Sequence, residues 1–166
     1  SIPFLLLVPI GFWLTFQFAG IPVEWAAYGI GAAGWVIALL LRSPVALIAR
    51  KLPKKQASIL MVAVSGPLEE GVRVVLLVFT GVSFHWAASL GQGWAAVEVL
   101  FAIVNGMVLQ SILQKTDEKA QKVKELLAAQ GSMNHNPLWG VVERIFASAF
   151  HIGSTLIISW NPWIVI

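Results

Sequence analysis

Hydrophobic residues run through this chain in long blocks instead of alternating with polar ones. Five blocks, at about 2–19, 23–41, 56–81, 93–114 and 138–160, come close to the roughly 20 residues that a helix needs to cross a bilayer. The pattern predicts an all-α fold, a polytopic membrane helix bundle of about five spans in a single domain, 1–166. Gly20-Ile-Pro22 separates the first two blocks, and a short interfacial helix is expected at 44–52, ended by Pro53. Residues 116–130 differ: Ala120, Val123 and Leu127 stand at i, i+3 and i+7, the apolar stripe of an amphipathic helix. Glu118 and Lys122 are a favourable i, i+4 pair there, and Gly131 is suited to the C-cap. Trp160-Asn-Pro-Trp163 closes the last block as an interfacial aromatic anchor.

Composition agrees with the blocks. The chain is 58% hydrophobic and 11% charged, with mean hydropathy +0.81, where a soluble domain carries about 25% charged residues. Cysteine is absent, which excludes disulfides, thiolate metal sites and a cysteine nucleophile. The chain has no initial Met and ends in the apolar run WIVI, so it reads as truncated or processed. Arg42, Arg50, Lys51, Lys54 and Lys55 lie in one connection, and Lys115, Lys119, Lys122 and Lys124 in another. Basic loops stay cytoplasmic. The expected topology therefore puts the N-terminus and loops 43–55 and 115–137 inside a plasma membrane. These lysines face lipid headgroups, and nothing else supports nucleic-acid binding. The partners expected are the lipid bilayer and either a hydrophobic peptide substrate or other membrane subunits.

Against this apolar background a charged cluster stands out: Glu69-Glu70-Gly-Val-Arg73 in the third block. An ionisable side chain at the bilayer centre costs about 2.5–3.5 kcal/mol and marks a functional-site hypothesis. Glu69 and Arg73 are spaced i, i+4, Glu70 and Arg73 i, i+3, so either carboxylate can pair with the guanidinium. Two adjacent carboxylates do not both ionise cheaply, which divides them into one structural and one reactive group. Pro67 frees the carbonyl of Ala63 just before them. By depth, Glu69, Asn105 and His151 converge near the midplane, while Glu98 and Arg73 lie nearer the outer surface and are candidates to pair. Glu143-Arg144 opens the fifth block as an interfacial salt bridge, and Ser154 and Thr155 lie on the His151 face as packing hydroxyls. His151 is the candidate acid–base or ligand group. His85 and His135 fall in loops.

LEEGVRVV resembles the EExxxR signature of the membrane clan of CAAX-prenyl proteases and bacteriocin-processing enzymes. The chain is similar more specifically to the YhfC family of intramembrane metalloproteases. PFLLLVPIGFWLTFQFAG and GIGAAGWVIALLLRSP resemble its first two helices, and GQGWAAVEVL resembles its GxGHGGxEA stretch, which places Glu98 on that family's glutamate. WGVVERIFASAFHIGSTLII resembles its ER-x6-H helix, with Glu143, Arg144 and His151. The resemblance implies Glu69 or Glu70 as general base or ligand and His151 as ligand or oxyanion partner. It also implies a divalent metal such as zinc, held by Glu70, Glu98 and His151. Trp94 stands where that family carries a histidine. Glu69-Glu70-x-x-Arg73, and His151 followed by Asn161-Pro-Trp163, are also distantly similar to the scaffold subunit of gamma-secretase.

Three functions follow as expectations: an intramembrane endopeptidase, a non-catalytic scaffold subunit of a larger membrane complex, and a small-molecule transporter. The peptidase requires a water-accessible pocket with Glu69 or Glu70 in reach of His151. The scaffold expects Glu70, Arg73 and Glu98 locked in ion pairs. The transporter expects a cavity open to one side.

Overall fold

The computed structural model describes residues 2–129 and 137–162. Six helices follow one another: α1 (Ile2–Phe18), α2 (Trp25–Ala49), α3 (Lys54–Thr80), α4 (Phe84–Leu113), α5 (Glu118–Ala129) and α6 (Pro137–Trp160), with no strand among the described residues. Helix α4 is the axis. It packs on α2, α6 and α1, while α3 lies across α2 and α6. All ten residues from Ala87 to Ala96 are buried, so the first half of α4 is enclosed on every side.

Glycine makes that enclosure possible. A Cβ on Gly93 would lie 1.9 Å from the Tyr28 carbonyl oxygen, and one on Gly31 would lie 2.0 Å from that of Leu90. Helices α2 and α4 therefore touch backbone to backbone, the packing that small residues permit where apolar burial against lipid supplies no driving force. Gly91 brings α6 close as well, with a Cβ there 2.8 Å from the Ile152 Cα.

Among the described residues three helices are long and apolar enough to cross a membrane: α2, α4 and Leu138–Trp160 of α6. These account for the second, fourth and fifth of the expected spans. Helix α1 offers only the shorter apolar run Pro3–Phe18, and α3 carries Lys54, Lys55, Glu69, Glu70 and Arg73. Outward faces are apolar: Phe18, Phe79, Val62, Phe146 and Trp160 are all exposed. A monomeric soluble protein rarely exposes apolar surface so continuously.

Two expected boundaries move. The separate helix at 44–52 does not exist, because α2 continues through Pro44 to Ala49. A proline removes one helical hydrogen bond, and in an apolar helix the remainder hold the run together. The fourth span begins at Phe84, nine residues before Gly93. The 82–92 loop shrinks to Gly81–Ser83, where Gly81 has φ 146° and the Ser83 hydroxyl accepts from the Trp86 amide. Gly91 and Gly93, at the expected edge of the span, are packing contacts inside the helix. The amphipathic helix is found as α5, entered at Asp117, whose Oδ1 accepts from the Ala120 amide at 3.0 Å. Ala120 is buried, and Lys122 donates to Glu118 at 2.6 Å. Gly131, His135 and Trp163 lie outside the described residues.

Candidate functional site

Consecutive helix residues point about 100° apart, and this separates the two glutamates. Glu70 accepts from Arg73 Nη1 at 2.5 Å. Glu69 turns the other way, accepts from Arg42 Nη2 through Oε1, and lines a cavity of about 540 Å³. The two carboxylates thus pair with different arginines, Glu70 with one on its own helix and Glu69 with one on α2. Arg42, which sequence reasoning assigned to a basic loop, is a member of the site. Reading α2 as continuous through Pro44 would have placed it inside a helix, seven residues before Ala49.

The cavity gathers most of the residues singled out in the sequence. Glu69, Glu98, Asn105, Glu143, Arg144 and His151 all line it, together with Arg42, Trp35 and Phe101. Glu70 and Arg73 do not. Two guanidinium groups and three carboxylates face the same space. Because α4 starts earlier than expected, Glu98 sits near the middle of that helix and not close to its outer end. It consequently pairs not with Arg73 but with α6: Arg144 Nη1 donates to Glu98 Oε1 at 2.6 Å, and His151 Nε2 lies 2.5 Å from Oε2. Trp35 Nε1 adds a third donor at 3.2 Å. No pattern in the sequence marks Trp35 for this role. The expected Glu143–Arg144 bridge forms at 2.5 Å, so Arg144 joins two carboxylates.

Arg73 is completely buried. Besides Glu70, its guanidinium donates to Ser154 Oγ at 2.8 Å and to His151 Nδ1 at 3.1 Å. Its Cζ lies 4.5 Å over the ring of Trp94, itself completely buried. A cation over a desolvated tryptophan face gains about 2 kcal/mol. Trp94 thus serves Arg73 where the resemblance expected an imidazole. Thr155 Oγ1 donates to the His151 carbonyl at 2.6 Å, the packing role expected of it. Ser154 makes a weaker bond of that kind at 3.4 Å and has the further role of accepting from Arg73. His85 is exposed and stacks edge-on against Phe84.

The donor set does not fit the expected metal. Among the described residues no group of three or more His, Asp or Glu side chains is arranged to hold an ion. Glu70 faces Arg73, and the two ring nitrogens of His151 face Arg73 and Glu98. A ligating imidazole must present a bare nitrogen to the metal. Glu70, Glu98 and His151 do not converge with open lone pairs.

The arrangement offers Glu69 at the cavity, paired with Arg42, and a hydrogen-bonded network running Glu70–Arg73–His151–Glu98–Arg144–Glu143. Comparison with family models, with curated proteins and with solved structures finds no match to the chain.

Proposed function

We propose that this chain is a multi-pass membrane protein with an intramembrane endopeptidase site of the YhfC type, in which Glu69 is the general base. The single observation that carries the reading is that Glu69, and not Glu70, lines the cavity shared with Glu98, Asn105 and His151. In the reaction Glu69 takes a proton from water, the hydroxide adds to the peptide carbonyl, the C–N bond breaks, and the amine leaves with a proton. Glu70 and Arg73 are structural. Beside the Arg42–Glu69 pair an apolar groove of about 470 Å³, with Ile37, Leu41, Leu68 and Val72 on its walls, runs between α2 and α3. It suits a hydrophobic peptide segment. In this reading α1 and α3 also cross the plasma membrane, and the basic loops 43–55 and 115–137 are cytoplasmic, as basic loops near spans usually are.

A second reading, a non-catalytic scaffold subunit, has its own support. Both nitrogens of His151 are engaged, and Trp94 fills the position where a further imidazole was expected. Glu69→Gln and Glu70→Gln separate the two. Co-expressed hydrophobic membrane peptides are assayed for cleavage, and helix content and melting in detergent report assembly. The endopeptidase predicts cleavage by wild type that is lost in Glu69→Gln with assembly intact. Absence of cleavage by wild type, with assembly lost in Glu70→Gln, selects the scaffold.

A further inference from the structure

His151 is held from two sides by groups of opposite character. Arg73 Nη2 lies 3.1 Å from Nδ1, and the Glu98 carboxylate lies 2.5 Å from Nε2. A guanidinium has five N–H donors and no acceptor. The nitrogen facing it must therefore be bare. A carboxylate held by Arg144 and Trp35 accepts, so the nitrogen facing it carries the proton. An Nδ1–H would point at another N–H.

We infer that Arg73 is a positioning residue that fixes His151 as the neutral Nε2–H tautomer, leaving neither ring nitrogen open to a metal. The device is rigid. Arg73 is completely buried, anchored on Glu70 at 2.5 Å and Ser154 at 2.8 Å, with its Cζ 4.5 Å over the Trp94 ring. The carbonyl of His151 accepts from Thr155 Oγ1, which ties the histidine backbone to its own helix. In serine hydrolases a carboxylate sets the histidine tautomer by accepting from one ring nitrogen, which leaves the other as a base. Here a cation does the opposite. It occupies the lone pair of Nδ1, while the Nε2–H is held by the Glu98 carboxylate. That assignment limits the proton acceptors of the cavity to carboxylates, which deepens the reading of Glu69 without depending on it.

The test is the ring of His151 in 15N–1H correlation spectra of the full chain in detergent micelles, with His85 and His135 replaced by Gln. The wild type is expected to show one bare and one protonated nitrogen, with the proton on Nε2, and no change when zinc alone is added. Arg73→Lys keeps a donor and is expected to retain that signature. The charge-balanced pair Glu70→Gln with Arg73→Met removes the donor, and a mixture of tautomers is expected. A proton on Nδ1 in the wild type, a zinc-induced shift of the His151 signals, or an unchanged single tautomer in the double variant each overturns the inference. The wild-type and Arg73→Lys spectra decide even where the double variant does not assemble. No substrate is involved, so failure here and failure to cleave peptides are separate results.

Discussion

A single methyl group on Gly93 tests how the site is held together. The added Cβ would stand 1.9 Å from the Tyr28 carbonyl oxygen, against the 3.4 Å at which ordinary contact begins. Helices α2 and α4 must then part by about 1.5 Å, because the atom in the way is backbone and cannot swing aside. The same helix pair carries the Trp35–Glu98 hydrogen bond, already at 3.2 Å, and that separation takes it out of range. Overpacking costs about 1–3 kcal/mol, and losing a hydrogen bond to a charged acceptor costs about 1.5–3 kcal/mol more. Alanine returns about 1 kcal/mol of helix propensity. The net loss is about 3 kcal/mol, which lowers the melting temperature by roughly 6–12 °C for a chain of this size. Gly71→Ala is the control: its Cβ meets nothing within 4 Å, and it should raise stability by up to about 1 kcal/mol. Thermal unfolding in detergent, followed by circular dichroism, compares the two. Gly93→Ala melting at or above Gly71→Ala would refute the backbone-to-backbone seam.

Other outcomes follow from the same contacts. Arg73→Met leaves the Glu70 carboxylate without its partner and should cost about 3–5 kcal/mol, with part of that loss recovered in the Glu70→Gln/Arg73→Met double variant; chemical unfolding measures both. Trp94→Ala empties a completely buried site and removes the face under Arg73, for about 3–5 kcal/mol, whereas Trp94→Phe keeps an aromatic ring there and should cost markedly less in the same melt. Lys122→Ala breaks only an exposed i, i+4 pair on α5 and should shift stability by no more than about 0.5 kcal/mol.

Much of the architecture was legible in one dimension. Block length and hydrophobicity identify helices, because a backbone in lipid must satisfy its own hydrogen bonds. The spacing of Ala120 and Val123 marks α5 on the same grounds. The i, i+3 spacing gave the Glu70–Arg73 pair as one of two options. The boundaries at 44 and 84 were not legible. Pro44 and the glycines at 91 and 93 carry the same letters whether they break a helix or let two helices touch.

The sequence by itself determined that the protein is helical, rich in membrane-compatible surface, and equipped with glutamates, arginines and a histidine inside its apolar blocks. Chain connectivity decides those properties, since they depend on composition and on spacings within one helix. Only the tertiary structure decided that Glu69 faces the cavity while Glu70 faces Arg73, that Arg42 and Trp35 belong to the site, and that Trp94 lies under a guanidinium. Arg42 and Glu69 are 27 positions apart, Trp35 and Glu98 are 63, and Trp94 meets Arg73 across 21. The close approach of α2, α4 and α6 at glycine sets which side chains meet, and no local spacing encodes it.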